Sequence, residues 1–383
     1  MSTGSIENSA SVTRKSVTNQ PIISYCNGQN AVCQAPEQKN AAIYAKLLCK
    51  PSPAPLDKAG KGEYNHHGYE CPATRDEEVD APMRRILTLL LLLALLGGTA
   101  MAESLPLGGP APYAPVMDAL SEDGLSYDDG TMSVRIEKDF VHDTNVYYVY
   151  VTITDPSQLR TAVAGQPKGK TTRKASQMAE ENNAVLAFNG DFYSYNQKSV
   201  GIIYRSGEQI RFNPQASYDQ LYIDSRGDLT LVSWPTDVGR FTDYAREQFE
   251  AYAADHELVE AFSFGPALII DGEVQEFDYR RKISCGYPTP DQRLIFCQLD
   301  ELSYLFVACE CWKQGAGQRG LSVPEMTELC AAKGVKHAYN LDGGNSLSIL
   351  LCGQRINGYN EVDSSVKERE IKDIIYFATL RGE

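Results

Sequence analysis

The chain has little histidine. Five of its 383 residues are histidines, and three of these, His142, His256 and His337, follow residue 102. None of the three has the spacing of a metal-ligand set, which argues against a histidine-based metal site and against a Ser-His-Asp triad. No metal and no cofactor are therefore expected, although a calcium or magnesium ion bound by carboxylates remains open.

The chain also lacks an excess of positive charge. Its 36 Lys and Arg face 50 Asp and Glu, and residues 103–383 carry 26 against 41, a formal net charge of −15. A protein that binds nucleic acid or an anionic membrane needs the opposite balance. An anionic substrate would have to be bound by a local cluster of donors rather than by the overall field.

The apolar run at 86–96 is too short to cross a bilayer. It has the sequence ILTLLLLLALL, whereas a spanning helix needs about 20 apolar residues. Arg84 and Arg85 precede it, and the small-residue tripeptide Ala-Met-Ala follows at 100–102. A basic start, a short apolar middle and an A-x-A site predict a secretory signal peptide at 83–102. We expect a secreted, extracytoplasmic protein that is not inserted in the membrane after cleavage; a membrane-spanning helix is the alternative.

Residues 1–82 are rich in Ser, Asn, Gln, Pro and Lys and show little apolar periodicity. Because a secretory signal stands at the start of a protein, the simplest interpretation is that translation begins at Met83. Residues 1–82 would then be a non-native or disordered leader. A zinc-binding leader is the alternative, but the cysteine spacings there contain no tight C-x-x-C ligand set.

The remaining residues predict one α+β domain. Residues 103–125 are rich in Pro, Gly and Ala and are interpreted as a linker, and residues 126–383 as a strand-rich single domain with a mixed or antiparallel sheet core and about three flanking helices. The predicted helices lie at 171–182, 240–254 and 320–335. The predicted strands lie at 133–139, 145–155, 184–188, 200–204, 207–211, 220–224, 228–232, 266–270, 293–299, 303–309, 337–341, 347–351 and 371–380.

Six cysteines follow the predicted signal peptide. Export permits disulfides, and the sequence cannot choose among the 15 possible pairings of six cysteines. Cys309 and Cys311 lie two apart on a predicted strand and so share a face. They could bind a metal, but packing as small apolar residues is the simpler role.

A glycine-rich turn lies between two apolar strands at 340–346, with the sequence NLDGGNS. Adjacent glycines let the backbone turn tightly and approach a ligand closely, and they leave Asp342 at the end of a strand. Backbone N–H groups in such a turn can bind an anion. Taken alone, the segment also fits an ordinary hairpin turn.

Two further segments place polar residues and glycine beside a buried strand. They are FNGDFY at 188–193 and FGPALIIDG at 264–272. Each alone indicates only a strand and a turn, because Asn and Asp tolerate left-handed geometry.

The order of these segments, however, resembles a known family. AFNGDFY, FGPALIIDG, an arginine at 293 before a paired-strand segment, and RGLSVPEMTELCAAKGVKHAYNLDGGNS follow one another as in the phosphodiester glycosidases. The resemblance covers about residues 145–380, and its most specific block is 320–346. It implies a hydrolase that cleaves the anomeric bond of a sugar-1-phosphodiester, an anionic carbohydrate, and we expect cell-wall or capsule polymers as its source.

The resemblance and the chemistry of this reaction point to three catalytic residues. Asp342 is predicted as the nucleophile or base, and Asp191 as its partner or a sugar ligand. Arg293 is predicted to clamp the phosphate, because a guanidinium can bind two phosphate oxygens at once. This scheme requires the turns at 189–191 and 342–346 to meet in the folded protein.

Further residues are predicted to bind substrate through backbone or side-chain donors. They are Asn189, Gly190, Gly265, Gly343, Gly344, Asn345 and Ser346, with Arg319 and Glu310 as additional candidates that also fit fold-stabilising charges. Two other functions remain open: a non-catalytic polysaccharide- or cell-wall-binding protein of the same fold, and a secreted glycosidase that acts on neutral sugars.

Overall fold

The domain is built mainly from antiparallel strands. The computed structural model describes residues 104–191, 201–213, 218–233, 242–276, 288–311, 318–358 and 368–382. The predicted leader and signal peptide lie outside these residues. The described helices are α1 (Ala175–Glu181), α2 (Thr242–Asp255) and α3 (Val323–Ala332). The described strands are β1 (Ser126–Asp128), β2 (Met132–Val141), β3 (Thr144–Ile153), β4 (Leu159–Val163), β5 (Arg173–Lys174), β6 (Leu186–Asn189), β7 (Gly201–Arg205), β8 (Glu208–Asn213), β9 (Gln220–Asp224), β10 (Leu229–Val232), β11 (Leu258–Ser263), β12 (Ala267–Ile270), β13 (Glu273–Val274), β14 (Arg293–Asp300), β15 (Ser303–Cys309), β16 (His337–Asn340), β17 (Ile349–Leu351), β18 (Gln354–Arg355), β19 (Glu370–Ile371) and β20 (Asp373–Phe377).

These strands form three larger sheets and one ribbon. The eight-stranded sheet has the order β1-β2-β3-β15-β14-β16-β12-β13, and the two five-stranded sheets have the orders β10-β9-β11-β7-β8 and β18-β17-β6-β20-β4. The ribbon pairs β19 with β5. The predicted strand-rich α+β class, with antiparallel sheets and three helices in the described ranges, is confirmed.

The two faces of β14 belong to different layers, because successive side chains of a strand point to opposite sides. Leu294 and Phe296 lie in the main core between the sheets. Ile295 and Cys297 lie in a second cluster with Val323 of α3. The helix therefore covers one face of the eight-stranded sheet, while its other face packs on the rest of the domain.

Three phenylalanines stack across the main core. Phe306 of β15 lies between Phe188 of β6 and Phe296 of β14, with ring centroids 3.8 Å and 4.4 Å apart. The stack joins the eight-stranded sheet to the sheet that contains β6. Because Phe188 directly precedes Asn189, this packing also fixes the end of β6.

The predicted linker at 103–125 is instead part of the domain. Leu105 and Ala111 are buried in the cluster that also contains residues of α1. The guanidinium of Arg160 donates from Nη2 to three carbonyls of the segment 106–109, at 3.0 to 3.1 Å. The Pro- and Gly-rich composition concealed this packing, because the segment is held through its backbone oxygens.

Four of the described cysteines, Cys297, Cys309, Cys330 and Cys352, are free thiols, and Cys285 lies outside the described residues. Cys309 and Cys311 are both buried, and each donates from its sulfur to an oxygen of Asp291. None of the helices in the described ranges has the length and apolarity that crossing a bilayer requires.

We expect Phe306→Ala to lower the free energy of unfolding by about 3–5 kcal/mol, because it removes the middle ring of the stack and leaves a cavity. Chemical denaturation measures this value. The matched control is Phe140→Ala, whose ring is 62% exposed; its effect should stay within about 0.5 kcal/mol. Equal losses in the two variants would contradict the role of the stack.

Candidate active site

The turns at 189–191 and 342–346 meet in the structure. The side-chain amide of Asn189 donates from Nδ2 to the backbone oxygen of Asp342 at 2.7 Å, and its Oδ1 accepts from the backbone N–H of Ser348 at 3.2 Å. Asn189 is buried. One side chain at the end of β6 therefore fixes both ends of the glycine-rich turn that follows β16.

A buried ion-pair network lies directly beside this contact. Arg205, the last residue of β7, donates from Nη2 to Oδ1 of Asp191 at 2.9 Å and to Oδ2 of Asp373 at 2.6 Å. The side chains of the three residues are 3%, 0% and 1% exposed. The second oxygen of Asp191 accepts from the backbone N–H of Ser263 at 2.9 Å. Asp191 is thus held in one orientation by a charge and by the backbone of β11.

The carboxyl of Asp373 has one oxygen without a hydrogen-bond partner, Oδ1. Burial is the main cause that raises the pKa of this carboxyl to about 7, and the charge of Arg205 opposes the rise. The negative charges of Asp191 and Asp342 add to it. The network therefore places the carboxyls of Asp191, Asp342 and Asp373 close enough together to interact electrostatically.

Gly190 has a packing role in this network. A Cβ at this position would lie 2.5 Å from Cγ of Asp373, and the Gly190 N–H donates to the backbone oxygen of Asp373 at 3.0 Å. Only a residue without a side chain lets the Asp373 carboxyl occupy this place. The structure thus explains a glycine at 190 without a contact to substrate.

Asp342 is the partly exposed residue of the group, although its carboxyl is largely desolvated. This desolvation raises its pKa to about 6, although hydrogen bonding by Ser346 and the charge of Arg369 oppose the rise. Beside it, Gly344 has a φ of +57° and open space where a Cβ would stand, and Asn345 is exposed. The turn therefore combines an ionisable carboxyl with a sterically open backbone.

Arg293 meets this turn through its backbone. A Cβ on Gly343 would lie 3.3 Å from the Cα of Arg293 and 2.2 Å from the oxygen of Gln292. The guanidinium of Arg293, however, donates to the carbonyls of Leu321 at 3.3 Å and Thr289 at 2.7 Å. These bonds direct it to the side of the sheet that α3 covers, rather than to Asp342.

Glu310 has a structural set of partners. Its two oxygens accept from Tyr147, Asn145, Gln318 and the N–H of Gly358 at 2.6 to 2.9 Å. It is buried, and these four bonds occupy its carboxylate. Glu310 therefore ties the segment after β18 to the ends of β3 and β15.

Arg319 and Gly265 also support neighbouring elements. Arg319 donates to Glu325, which completes the capping box at the start of α3. Gly265 has a φ of +75°, and its carbonyl accepts from Nδ2 of Asn340 at 2.9 Å. These contacts hold the strands that lead to the site.

Four residues at or behind the site were not predicted from sequence: Arg205, Asp373, Glu260 and Arg369. Asp373 could have been identified from the sequence, because it is an acidic residue directly before the apolar run IIYF. The strand that contains it is buried throughout. Arg205 ends a strand before a Ser-Gly turn, which resembles an ordinary surface position. Only the tertiary structure shows that its guanidinium is buried.

Glu260 lies behind this network. It accepts from Thr161 Oγ1 at 2.8 Å and from the N–H of Ser206 at 3.1 Å, and burial raises its pKa to about 7. A cavity of about 230 Å³ borders Glu260 and Arg160 but neither Asp191 nor Asp342. We therefore place the candidate site at the glycine-rich turn, where the polar groups converge, and not at this cavity.

Within the described part of the chain, no three His, Cys, Asp or Glu side chains are arranged to hold a metal ion. The acidic groups around Asp342 are instead connected through Arg205 and backbone N–H groups.

We expect Glu260→Gln to stabilise the protein above pH 7 and to have little effect below about pH 4.5. The folded pKa of about 7 lies above the ordinary 4.5, so the ionised form costs stability, and this cost grows as the pH rises between the two values. The gain should be on the order of 1–3 kcal/mol at pH 8. Gln keeps the geometry, since it can accept from Ser206 and donate to Thr161.

Unfolding free energies at pH 4.5 and pH 8 measure this effect. The control is Glu301→Gln at an exposed turn position, which should show no difference between the two pH values. A Glu260→Gln variant that is less stable than the unmodified protein at pH 8 would contradict the expectation.

Solved structures with a similar arrangement were found at low sequence identity. The catalytic domain of zebrafish N-acetylglucosamine-1-phosphodiester alpha-N-acetylglucosaminidase, auto-inhibited by its pro-peptide, is 16% identical over 70% of this chain and 87% of that chain, with a TM-score of 0.48. A hypothetical protein from Synechocystis is 14% identical over 64% of this chain and 62% of that chain (TM-score 0.43). A protein from Burkholderia pseudomallei is 13% identical over 62% and 74% of the two chains (TM-score 0.41).

A search of curated protein sequences finds no match. The family model of the phosphodiester glycosidases matches residues 182–378, which is more than half of the chain. The matched range contains Asn189, Asp191, Arg205, Asp342 and Asp373. The chain therefore belongs to the phosphodiester glycosidase family, a family of hydrolases.

Proposed function

We propose that the protein is a secreted hydrolase that cleaves the anomeric bond of a sugar-1-phosphodiester. The products are a free sugar and a phosphomonoester, and cell-wall or capsule polymers are the substrate class we expect. The observation that carries the proposal is the contact between Asn189 and the Asp342 backbone, because it sets Asp342, a partly exposed residue with an ionisable carboxyl, beside the buried Asp191–Arg205 pair.

The reaction requires negative charge near the anomeric carbon. As the bond between that carbon and the phosphate oxygen breaks, its electron pair leaves with the phosphate and positive charge grows on the sugar. Water then supplies a hydroxyl to the carbon. Because a phosphomonoester is a good leaving group, the site needs a carboxylate more than it needs a strong general acid.

Asp342 is our candidate for this carboxylate, either as the nucleophile or as the base that takes the proton from water. Asp342 is a partly exposed residue, whereas Asp191 and Asp373 are buried, so it is the acid of the cluster that lies nearest to solvent. Asp191 is fully enclosed, with a side-chain exposure of 0%. It therefore acts by orienting the site and by its charge, which disfavours ionisation of Asp342.

Secretion is supported by the signal-peptide pattern at 83–102. The acidic net charge of the chain gives no support to a nucleic-acid partner.

The main alternative is a protein of the same fold that binds cell-wall polysaccharide without cleaving it. The presence of both Asp191 and Asp342 favours the enzyme, since a binder of an anionic ligand gains nothing from two carboxylates beside it. A glycosidase acting on neutral sugars is the other alternative, and it would have no need of an arginine beside Asp342.

We expect Asp342→Asn to reduce kcat/KM on a sugar-1-phosphodiester by at least about 100-fold, because the variant keeps the hydrogen bond to Gly343 but loses the ionisable group. The assay uses methyl diesters of several sugar-1-phosphates and the matching neutral methyl glycosides. The control is Asp271→Asn, an exposed turn residue. Turnover confined to the diesters would exclude a neutral glycosidase.

Three results of this assay would count against the proposal. Binding of a diester without turnover by the unmodified protein would favour the binding protein. Faster cleavage of the neutral glycosides would favour the neutral glycosidase. Equal turnover by Asp342→Asn and the unmodified protein would remove Asp342 from the mechanism.

We also expect kcat/KM to fall as the pH drops below about 6. The pKa of Asp342 is raised to about 6 by desolvation, and only the ionised form can act as nucleophile or base, so the loss should approach about tenfold per pH unit. The pH profile on a diester measures this limb. A profile that stays flat from about pH 7 to pH 5 would contradict the role of Asp342.

A further inference from the structure

Two arginines reach the turn that carries Asp342, and they differ in exposure. Arg355 donates from Nη2 to the carbonyl of Leu347 at 2.7 Å, and its Nη1 lies 3.4 Å from Oγ of Ser348. Its side chain is 15% exposed and pairs with Glu368 at 3.8 Å. Arg355 therefore binds the backbone at Leu347, directly after the turn, and is itself largely buried.

Arg369 approaches the same turn from the solvent side. The residue is exposed, and its Nη1 lies 3.5 Å from Oγ of Ser346. Ser346 and Arg369 both act on the carboxyl of Asp342. The Ser346 hydroxyl thus lies between the guanidinium of Arg369 and the carboxyl of Asp342.

Other acidic residues surround Asp342. An anionic substrate therefore needs a cation beside Asp342 in order to bind there. Asp191 and Asp373 occupy the guanidinium of Arg205, and both lie close enough to Asp342 to interact with it electrostatically. A phosphodiester that approached this group of acids would be repelled unless a cation met it. Among the described residues, the guanidinium of Arg293 donates to the carbonyls of Leu321 and Thr289, whereas Arg369 is exposed and reaches Ser346 of the turn.

We propose that Arg369 binds the phosphate group of the substrate while the sugar lies against Asp342. This assignment rests on the proposed function and replaces Arg293 as the phosphate ligand. An exposed guanidinium can bind two phosphate oxygens at once and offsets the charge that grows on the departing phosphate. Ser346, between the two groups, sets their separation.

The test compares Arg369→Gln, Arg369→Lys and Arg173→Gln with the unmodified protein. Arg173 is the matched control, because it lies opposite Ile371 in the ribbon of β5 and β19 and its side chain is 46% exposed. Its loss changes the net charge equally and leaves the turn untouched. Thermal unfolding checks that each variant is folded, calorimetric titration with inorganic phosphate measures anion binding, and kinetics on the sugar-1-phosphate methyl diesters give kcat and KM.

We expect Arg369→Gln to weaken phosphate binding and to lower kcat/KM on the diesters, each by about 10- to 100-fold. Arg369→Lys should fall between it and the unmodified protein, and Arg173→Gln should stay within about twofold. Turnover of neutral methyl glycosides, where it can be measured, should not change in Arg369→Gln.

Phosphate binding and diester kinetics in Arg369→Gln that match those of Arg173→Gln would overturn the assignment of Arg369 and leave the proposed function intact. If the unmodified protein cleaves no diester, while phosphate binding is lost in Arg369→Gln alone, the proposed function fails and the phosphate site stands. Absence of both turnover and phosphate binding in the unmodified protein would overturn both proposals.

Discussion

The arrangement of the site depends on one buried guanidinium. Arg205 belongs to one five-stranded sheet, whereas Asp373 belongs to the other, and Asp191 lies two residues after β6 of that second sheet. Removing either charge partner from such a buried pair leaves an uncompensated ion, which costs far more than an exposed pair contributes. The same ion pairs that hold Asp191 in place therefore also fix the two sheets against each other.

Solvent exposure increases across the site, from the buried ion pairs to the glycine-rich turn and Arg369. Arg205, Asp191 and Asp373 are enclosed, Asp342 is partly exposed, and Arg369 is exposed. Burial raises the pKa of the enclosed Asp373 and of Asp342, so two carboxyls with raised pKa values lie in one site. Groups with perturbed pKa values in one site are typical of acid-base chemistry.

Much of the fold could be predicted from the sequence, because the patterns that indicate strands and helices lie within short segments of the chain. The predicted strands at 133–139 and 145–155 correspond to β2 and β3, and the predicted helix at 320–335 contains α3 with three extra residues at either end. The predicted first helix was too long, since Arg173 and Lys174 pair with β19 instead of joining α1. Long-range partners such as these leave no mark in a local pattern.

The candidate site likewise contains some residues that could be predicted from the sequence and others that could not. Glycine-rich turns after apolar strands drew attention to Asn189 and Asp342, which do meet. Arg293 was chosen for its chemistry, but strand alternation places it on the same face as Ile295 and Cys297, under α3. Arg205 could not be found, because a charged residue at the end of a strand gives no indication of whether its side chain is buried.

The bond between Asn189 and Asp342 joins residues 153 positions apart. Contacts of such long sequence separation form only after most of the chain has ordered, since closing a long loop costs entropy that later packing must offset. Chemistry at Asp342 thus becomes available only when β6, β16 and the core between them are assembled. A partly folded or truncated chain would lack the assembled site, which confines any chemistry at Asp342 to molecules that have completed folding.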